Sequence, residues 1–169
     1  MITLVNSKTI ETIREIWWDV RPHPDFGTVE VRICDGMPTL DEVIAVTALI
    51  QSLVVWLGEK YDDGSYLPLQ RYWIVRENKW RASRWSTEAE IIIDEDGHLE
   101  PLSESIEHLL EQLNPVATRL GCARELSGVR NILRIGPSYR RQRQLYEETG
   151  DFKKVMELLV REFRQGARS

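Results

Sequence analysis

Glu30 and Arg32 stand two residues apart in a segment, Thr28 to Cys34, whose residues alternate in polarity. Val29, Val31 and Ile33 fall on one face of a strand there, and Thr28, Glu30, Arg32 and Cys34 fall on the other. A carboxylate and a guanidinium side by side on a strand can hold a metal ion and a phosphate respectively, or can simply pair with each other on a half-exposed sheet. Asp35 follows as a third oxygen donor, although Asp35-Gly36 also serves as a turn. A second constellation lies on a helix-forming run, where Glu77, Arg81 and Arg84 fall at i, i+4 and i+7 and Asn78, Arg81 and Trp85 make an overlapping stripe. Two arginines flanked by an amide and tryptophans suit an anionic substrate or nucleotide phosphates, because the guanidinium fork matches an oxyanion. The bland alternative is an exposed Glu77–Arg81 pair worth a few tenths of a kcal/mol.

Other polar groups point less sharply to chemistry. Arg130, Arg134, Arg140, Arg141 and Arg143 concentrate in one stretch, but Glu125, Glu147 and Glu148 dilute it and the chain as a whole carries a formal charge of -5. A solvated helical face is the expected reading, and nucleic acid is not an expected partner. His23, His98 and His108 are scattered without metal-ligand spacing. Cys34 and Cys122 stand far apart, and the first residues show no leader pattern, so a reduced cytoplasm is the expected compartment.

These groups need elements to position them. The 169 residues are one ordinary domain's worth of chain, so a single domain over residues 1–169 is expected. Thr3 to Trp17 has the composition of a short helix, and His23-Pro24-Asp25-Phe26-Gly27 is an extended approach to a turn before the strand at Thr28. The apolar face of that strand is expected to pack on helices. Thr39, with Glu42 three residues on, makes a capping box for a helix through about Gly58. Its apolar run, Val43 to Leu57, falls short of the roughly 20 residues that cross a bilayer and reads as a buried helix, with no membrane partner. A second helix is expected over about Pro68 to Trp85, then a strand over Ala89 to Ile93 with a return near His98 to Pro101.

From Ser103 the pattern is helical: Asn114-Pro115 is expected to restart a helix, Gly121 to stop it, Gly136-Pro137 to break the next, and Asp151 to cap the last. In that last helix Phe152, Val155, Met156, Leu159 and Phe163 read as a core-facing stripe. The class is α+β: a few strands, antiparallel, covered by several helices.

Three segments in order, Trp17-Trp18-Asp19-Val20-Arg21-Pro22, Gly27 to Asp35 and Glu77-Asn78-Lys79-Trp80-Arg81-Ala82-Ser83-Arg84, resemble the glutamate-cysteine ligase type 2 family, also called carboxylate-amine ligases. The resemblance extends to Gly136-Pro137-Ser138 and Gln142-Arg143, and corresponds to the C-terminal part of the family. It implies part of a catalytic fold similar to that of glutamine synthetase, an antiparallel sheet whose concave face binds ATP and Mg²⁺. It also implies that ATP phosphorylates the side-chain carboxylate of an amino acid such as glutamate, and that an amine then displaces phosphate.

Carried onto this sequence, the resemblance makes Glu30 a metal ligand, Arg32 and Arg81 catalytic contacts, and Asn78, Arg81 and Arg84 contacts to the nucleotide cofactor. Further metal-binding glutamates of the family belong to its N-terminal part, which these residues do not include. Activity would then require a partner chain supplying that half, or a homo-oligomer; the alternative is a non-catalytic binding or assembly module that keeps the fold.

Overall fold

The computed structural model describes residues 2–65 and 70–166 and divides them between two compact units, Met1–Gly36 and Met37–Ser169. The chain is α+β, with two small antiparallel sheets of two strands each among seven helices in the described residues.

In the first unit, α1 (Ile2–Asn6) is a single short helix, followed by one 3-10 turn at Ile13–Glu15. The continuous helix expected from Thr3 to Trp17 does not form. Lys8 adopts a positive φ of 57°, which closes α1, and the Ser7 hydroxyl donates to Leu4 O at 3.1 Å instead of leaving the chain free to continue. The strands β1 (Val20–His23) and β2 (Thr28–Val31) pair antiparallel, with Arg21 opposite Glu30 and Pro22 opposite Val29. Gly27, at φ 60°, turns the chain between them, where an L side chain would be strained. β2 ends at Val31 and not at Cys34, yet the amides of Arg32 and Ile33 both donate to Asp19 O, at 2.7 and 3.3 Å, so the chain stays beside β1.

The hairpin corrects one expectation. Its apolar face is the open one: Val20, Val29 and Ile33 are each at least half exposed. The polar face holds the more sheltered side chains, with Arg21 17% and Arg32 29% exposed. Pairing within the polar face, described below, is what shelters them.

The second unit begins with α2 (Leu40–Asp62), where Thr39 Oγ1 accepts from Glu42 N at 3.1 Å as the capping pattern requires. It continues through α3 (Tyr72–Trp85), β3 (Glu90–Ile92), β4 (Leu99–Pro101), α4 (Leu102–Leu120), α5 (Ala123–Ile135), α6 (Ser138–Thr149) and α7 (Phe152–Gly166). The start of the second helix expected at Pro68 lies outside the described residues. Ala45 and Ala48 of α2 meet Leu110, Leu113 and Ala117 of α4 and Leu126 and Val129 of α5 in one buried cluster. Small residues on α2 let the helices approach closely: a Cβ placed on Gly128 of α5 would lie 3.0 Å from Ala45 Cβ. Leu110 and Leu113, at 1% and 0% exposure, each stabilise the cluster by about 2 kcal/mol relative to exposure.

Three further expectations change in this unit. Asn114-Pro115 does not restart a helix, because α4 runs through Pro115 without a break. Proline removes one backbone hydrogen bond there, and burial of Leu113, Val116 and Ala117 around it offsets that loss. The stripe on α7 is not core-facing: Val155 is buried at 8% exposure, while Phe152, Met156 and Phe163 are 70%, 60% and 65% exposed. Nor is α2 a buried helix. It is long and apolar enough by length and composition to cross a membrane, but only 17% of its most apolar window is buried, because the cluster covers the face bearing Ala45, Ala48 and Ser52 alone. Gly121, Gly136 and Asp151 act as expected, with Asp151 Oδ1 accepting from Lys153 N at 2.8 Å.

Candidate functional site

In the first unit the residues on the polar face of the hairpin form one charged group. Glu30 accepts from Arg21 Nη2 at 2.5 Å through one carboxylate oxygen and from Arg32 Nη1 at 3.1 Å through the other. Arg32 also lies over the ring of Trp17, 4.4 Å from its centroid, a cation–π contact that adds to its pairing with Glu30. Arg21 Nε is buried with no hydrogen-bond partner among the described residues. Two guanidinium groups around one carboxylate leave a net positive charge and spare donors, which is the chemistry that attracts an anion such as phosphate.

The arrangement bears on the expected metal role of Glu30. Both of its oxygens are taken by arginines, and magnesium asks for six oxygen ligands in near-octahedral geometry. Glu30 alone in this hairpin does not provide such a set. Asp35, the other carboxylate considered, accepts from its neighbour Gly36 N at 2.7 Å, the bond of a turn residue. The polar residues of this hairpin therefore fit an anion as they stand, and no step is built on a metal held by them.

In the second unit the expected contacts on α3 separate into two faces. Asn78 grips the backbone of β3 with both ends of its amide: Nδ2 donates to Ile92 O and Oδ1 accepts from Ile92 N, each at 2.8 Å. Arg81 lies on the same side, with Nε on Glu77 Oε1 at 2.9 Å and Nη1 on Glu90 O at 3.3 Å. Ile74, fully buried, sits one turn away on this face. Asn78 and Arg81 thus brace the free edge of a two-stranded sheet, a backbone row that would otherwise stay unpaired.

Arg84 is exposed and shares the outer face of α3 with Trp73, Glu77 and Trp80. Tyr72, Trp73, Arg76, Glu77 and Trp80 line a groove of about 540 Å³ on that side. Arg76 lies 5.7 Å from the Tyr72 ring centroid, and Trp80 meets Trp85 edge to face at 5.0 Å. Aromatic rings beside arginines offer stacking and oxyanion contacts in one surface.

Two features were not singled out by sequence reasoning. Arg21 is the second clamp on Glu30, and the signal was present in the alternation of Val20, Arg21, Pro22 and His23, which sets Arg21 on the polar face once the strand pairs. Arg141 was grouped with a solvated basic stretch, yet it is only 18% exposed and ties three helices together. Its Nη2 meets Glu42 Oε1 of α2 at 2.8 Å, its Nε meets Glu162 Oε1 of α7 at 2.9 Å, and its Nη1 donates to Gly136 O at 2.7 Å. Burial works against the charge, but the hydrogen bonds and charges of Glu162 and Glu42 outweigh it and raise the guanidinium pKa. A groove of about 440 Å³, bounded by Thr39, Asn131, Arg134 and Gln165, opens beside this clasp.

The turn between β3 and β4 also gathers His98, which the spacing argument had set aside. Asp94, Asp96 and His98 place their ligand atoms within 4.8 Å of one another. The hydrogen bond from the His98 ring to Asp94 Oδ2, at 2.6 Å, is the main reason the Asp94 carboxyl sits below its ordinary value.

Within each unit by itself, arginine side chains beside a carboxylate or an aromatic ring offer contacts to an anion. The model of glutamate-cysteine ligase family 2 matches residues 3–158, and the chain belongs to that family.

The chain is 52% identical over 167 residues to a protein of Frankia casuarinae provisionally named glutamate–cysteine ligase 2-1, an alignment covering 98% of this chain and 44% of that protein. A Thermobifida fusca protein provisionally named glutamate–cysteine ligase 2 is 50% identical over 167 residues, covering 99% of this chain and 42% of the relative. A Rhodococcus jostii protein provisionally named glutamate–cysteine ligase 2-2 is 46% identical over 154 residues, or 90% of this chain and 41% of the relative. The chain thus spans less than half the length of these curated relatives.

Proposed function

We propose that this chain supplies one part of an ATP-dependent carboxylate-amine ligase site, completed by a second polypeptide or a second copy. The observation that carries the proposal is the Arg21–Glu30–Arg32 group in a chain matched by the ligase family over residues 3–158. In the proposed reaction the γ-phosphoryl of ATP passes to the side-chain carboxylate of an amino acid such as glutamate, releasing ADP. An amine then attacks the acyl carbon, the carbon–oxygen bond to phosphate breaks, and amide and inorganic phosphate leave. Charge accumulates on phosphoryl oxygens in the first step, and guanidinium donors held in place by Trp17 and Glu30 are suited to offset it. Mg²⁺ belongs to the same proposal, with ligands drawn from the part of the site outside this chain. The cytoplasm, where ATP is available, is the proposed compartment.

A second reading has its own support. Asn78 and Arg81 spend their polar groups on the β3 backbone, as residues of a retained scaffold would, which favours a binding or assembly module that keeps the fold. Titration with Mg-ATP, of the chain alone and mixed with the unmatched portion of the Thermobifida fusca relative, separates the two. The ligase reading expects binding that Arg32→Ala weakens by about tenfold or more through loss of a charge-assisted contact, with release of ADP in the completed mixture. Absence of binding in every mixture, or equal binding by Arg32→Ala, overturns it.

A further inference from the structure

The outer face of α3 presents three exposed rings beside a guanidinium that no carboxylate neutralises. Tyr72, Trp73 and Trp80 are 75%, 58% and 53% exposed, and with Arg76 and Glu77 they line the groove of about 540 Å³. Rings of this size are usually buried or set against a partner, and a cleft of this volume suits one small molecule. Among the described residues Arg76 makes no ion pair, and its guanidinium lies 5.7 Å from the Tyr72 ring centroid. Glu77 gives one carboxylate oxygen to Arg81 Nε at 2.9 Å, and its other oxygen accepts no bond among the described residues.

Helical geometry sets these groups in order. At about 100° per residue, Trp73 and Trp80 fall within about 20° of each other around α3 and start about 10.5 Å apart along its axis. Two ring contacts end to end, each at about 4.5–7 Å between centroids, span about 9–14 Å, so one flat ring fits between the two indoles. Arg76 lies about 50° to one side of this row and Glu77 about 50° to the other.

We infer that the α3 groove is an adenine-nucleotide site: the base lies between Trp73 and Trp80, its amino group donates to the open oxygen of Glu77, and the phosphates meet Arg76. The inference rests on the ATP-dependent reading above and names the residues that recognise the nucleotide. Two features select this ligand. A flat ring with a donor on one edge matches indoles beside an acceptor, and an anion on the opposite side matches a guanidinium without a counter-charge. The contact moves away from Asn78 and Arg81, whose polar groups are engaged with β3, to the other side of the same helix.

The test is titration calorimetry of the full chain with ADP. The expected result is one ADP per chain, bound about tenfold more weakly by Trp73→Ala through loss of stacking, with Trp73→Phe restoring most of the affinity. Arg76→Ala should weaken ADP by about tenfold and leave adenosine unchanged, since adenosine has no phosphate. Inosine diphosphate, which carries a carbonyl oxygen in place of the amino group, should bind about tenfold more weakly than ADP. An unchanged circular dichroism melt shows that Trp73→Ala folds; should it not, the exposed Arg76→Ala carries the test. Equal ADP affinity in Trp73→Ala or Arg76→Ala overturns the assignment, as does inosine diphosphate binding as tightly as ADP. A groove that only a polypeptide covers gives no ADP binding to the folded chain alone, which also overturns it. Nucleotide binding that appears only in the mixture with the Thermobifida fusca portion, and that Arg32→Ala weakens, removes the α3 site and keeps the ligase reading. ADP bound through Trp73 and Arg76, with no ADP released from ATP in that mixture, upholds the α3 site and removes the ligase reading.

Discussion

At the scale of single residues, the polar groups that carry the family resemblance do unequal work. Glu30 and Arg32 meet as their spacing on alternate positions of one strand demands, and Arg21 joins them because the hairpin register sets it opposite Glu30. Asn78 is different: its amide replaces a strand on the edge of β3, with two hydrogen bonds to Ile92. Asn78→Ala would leave the Ile92 amide and carbonyl without those partners in a partly buried setting, and should lower stability by about 2 kcal/mol, read as a shift in urea midpoint. Arg84→Ala, which removes an exposed side chain, should leave that midpoint within about 0.5 kcal/mol of the parent. Spacing on α3 shows that Asn78 and Arg81 share a face; that the face looks at the β3 backbone follows only once the strand has packed there.

At the scale of elements, the helices of the second unit are joined by two devices. One is the close packing of α2 on α4 and α5 through alanines and Gly128, where any added side chain meets Ala45. The other is the Arg141 clasp. Arg141→Met leaves Glu42 and Glu162 facing each other with no counter-charge while both are only 15% exposed, and should cost about 3 kcal/mol. Faster amide exchange in α7 than in α4 should accompany that loss, measurable by hydrogen exchange, because α7 meets α2 through little else. The helix boundaries at Thr39, Gly121, Gly136 and Asp151 were readable from local chemistry, since caps and left-handed glycines act within one turn. The continuity of α4 through Pro115 was not, because what sustains it is the burial of residues around the proline.

At the scale of the whole molecule, the uneven cover of apolar surface is the dominant feature. Among the described residues the first unit buries Ile16 as its one fully sheltered apolar side chain and presents a two-stranded sheet, a structure marginally stable alone in water. The second unit holds a contiguous cluster from three helices. Amides of β1 and β2 should therefore exchange well before those of Leu113 and Val129 in the isolated chain, and gain protection when a completing polypeptide is present. Equal protection of the two units in the isolated chain would contradict this account.

The sequence by itself determined the α+β class, the caps and stops of the helices, the alternating hairpin strand with Glu30 and Arg32 on one face, and membership of the ligase family. These are local or strongly patterned properties, fixed by period, turn chemistry and ordered motifs. Only the tertiary structure decided which apolar faces are covered. The apolar sides of the hairpin, of α2 and of α7 read equally well as core from their periodicity, because periodicity reports that a face is apolar and not what lies against it. The structure also decided that Arg141, indistinguishable in sequence from its basic neighbours, is the buried clasp between two carboxylates. That choice depends on bringing Glu42 and Glu162, 120 positions apart, to one guanidinium.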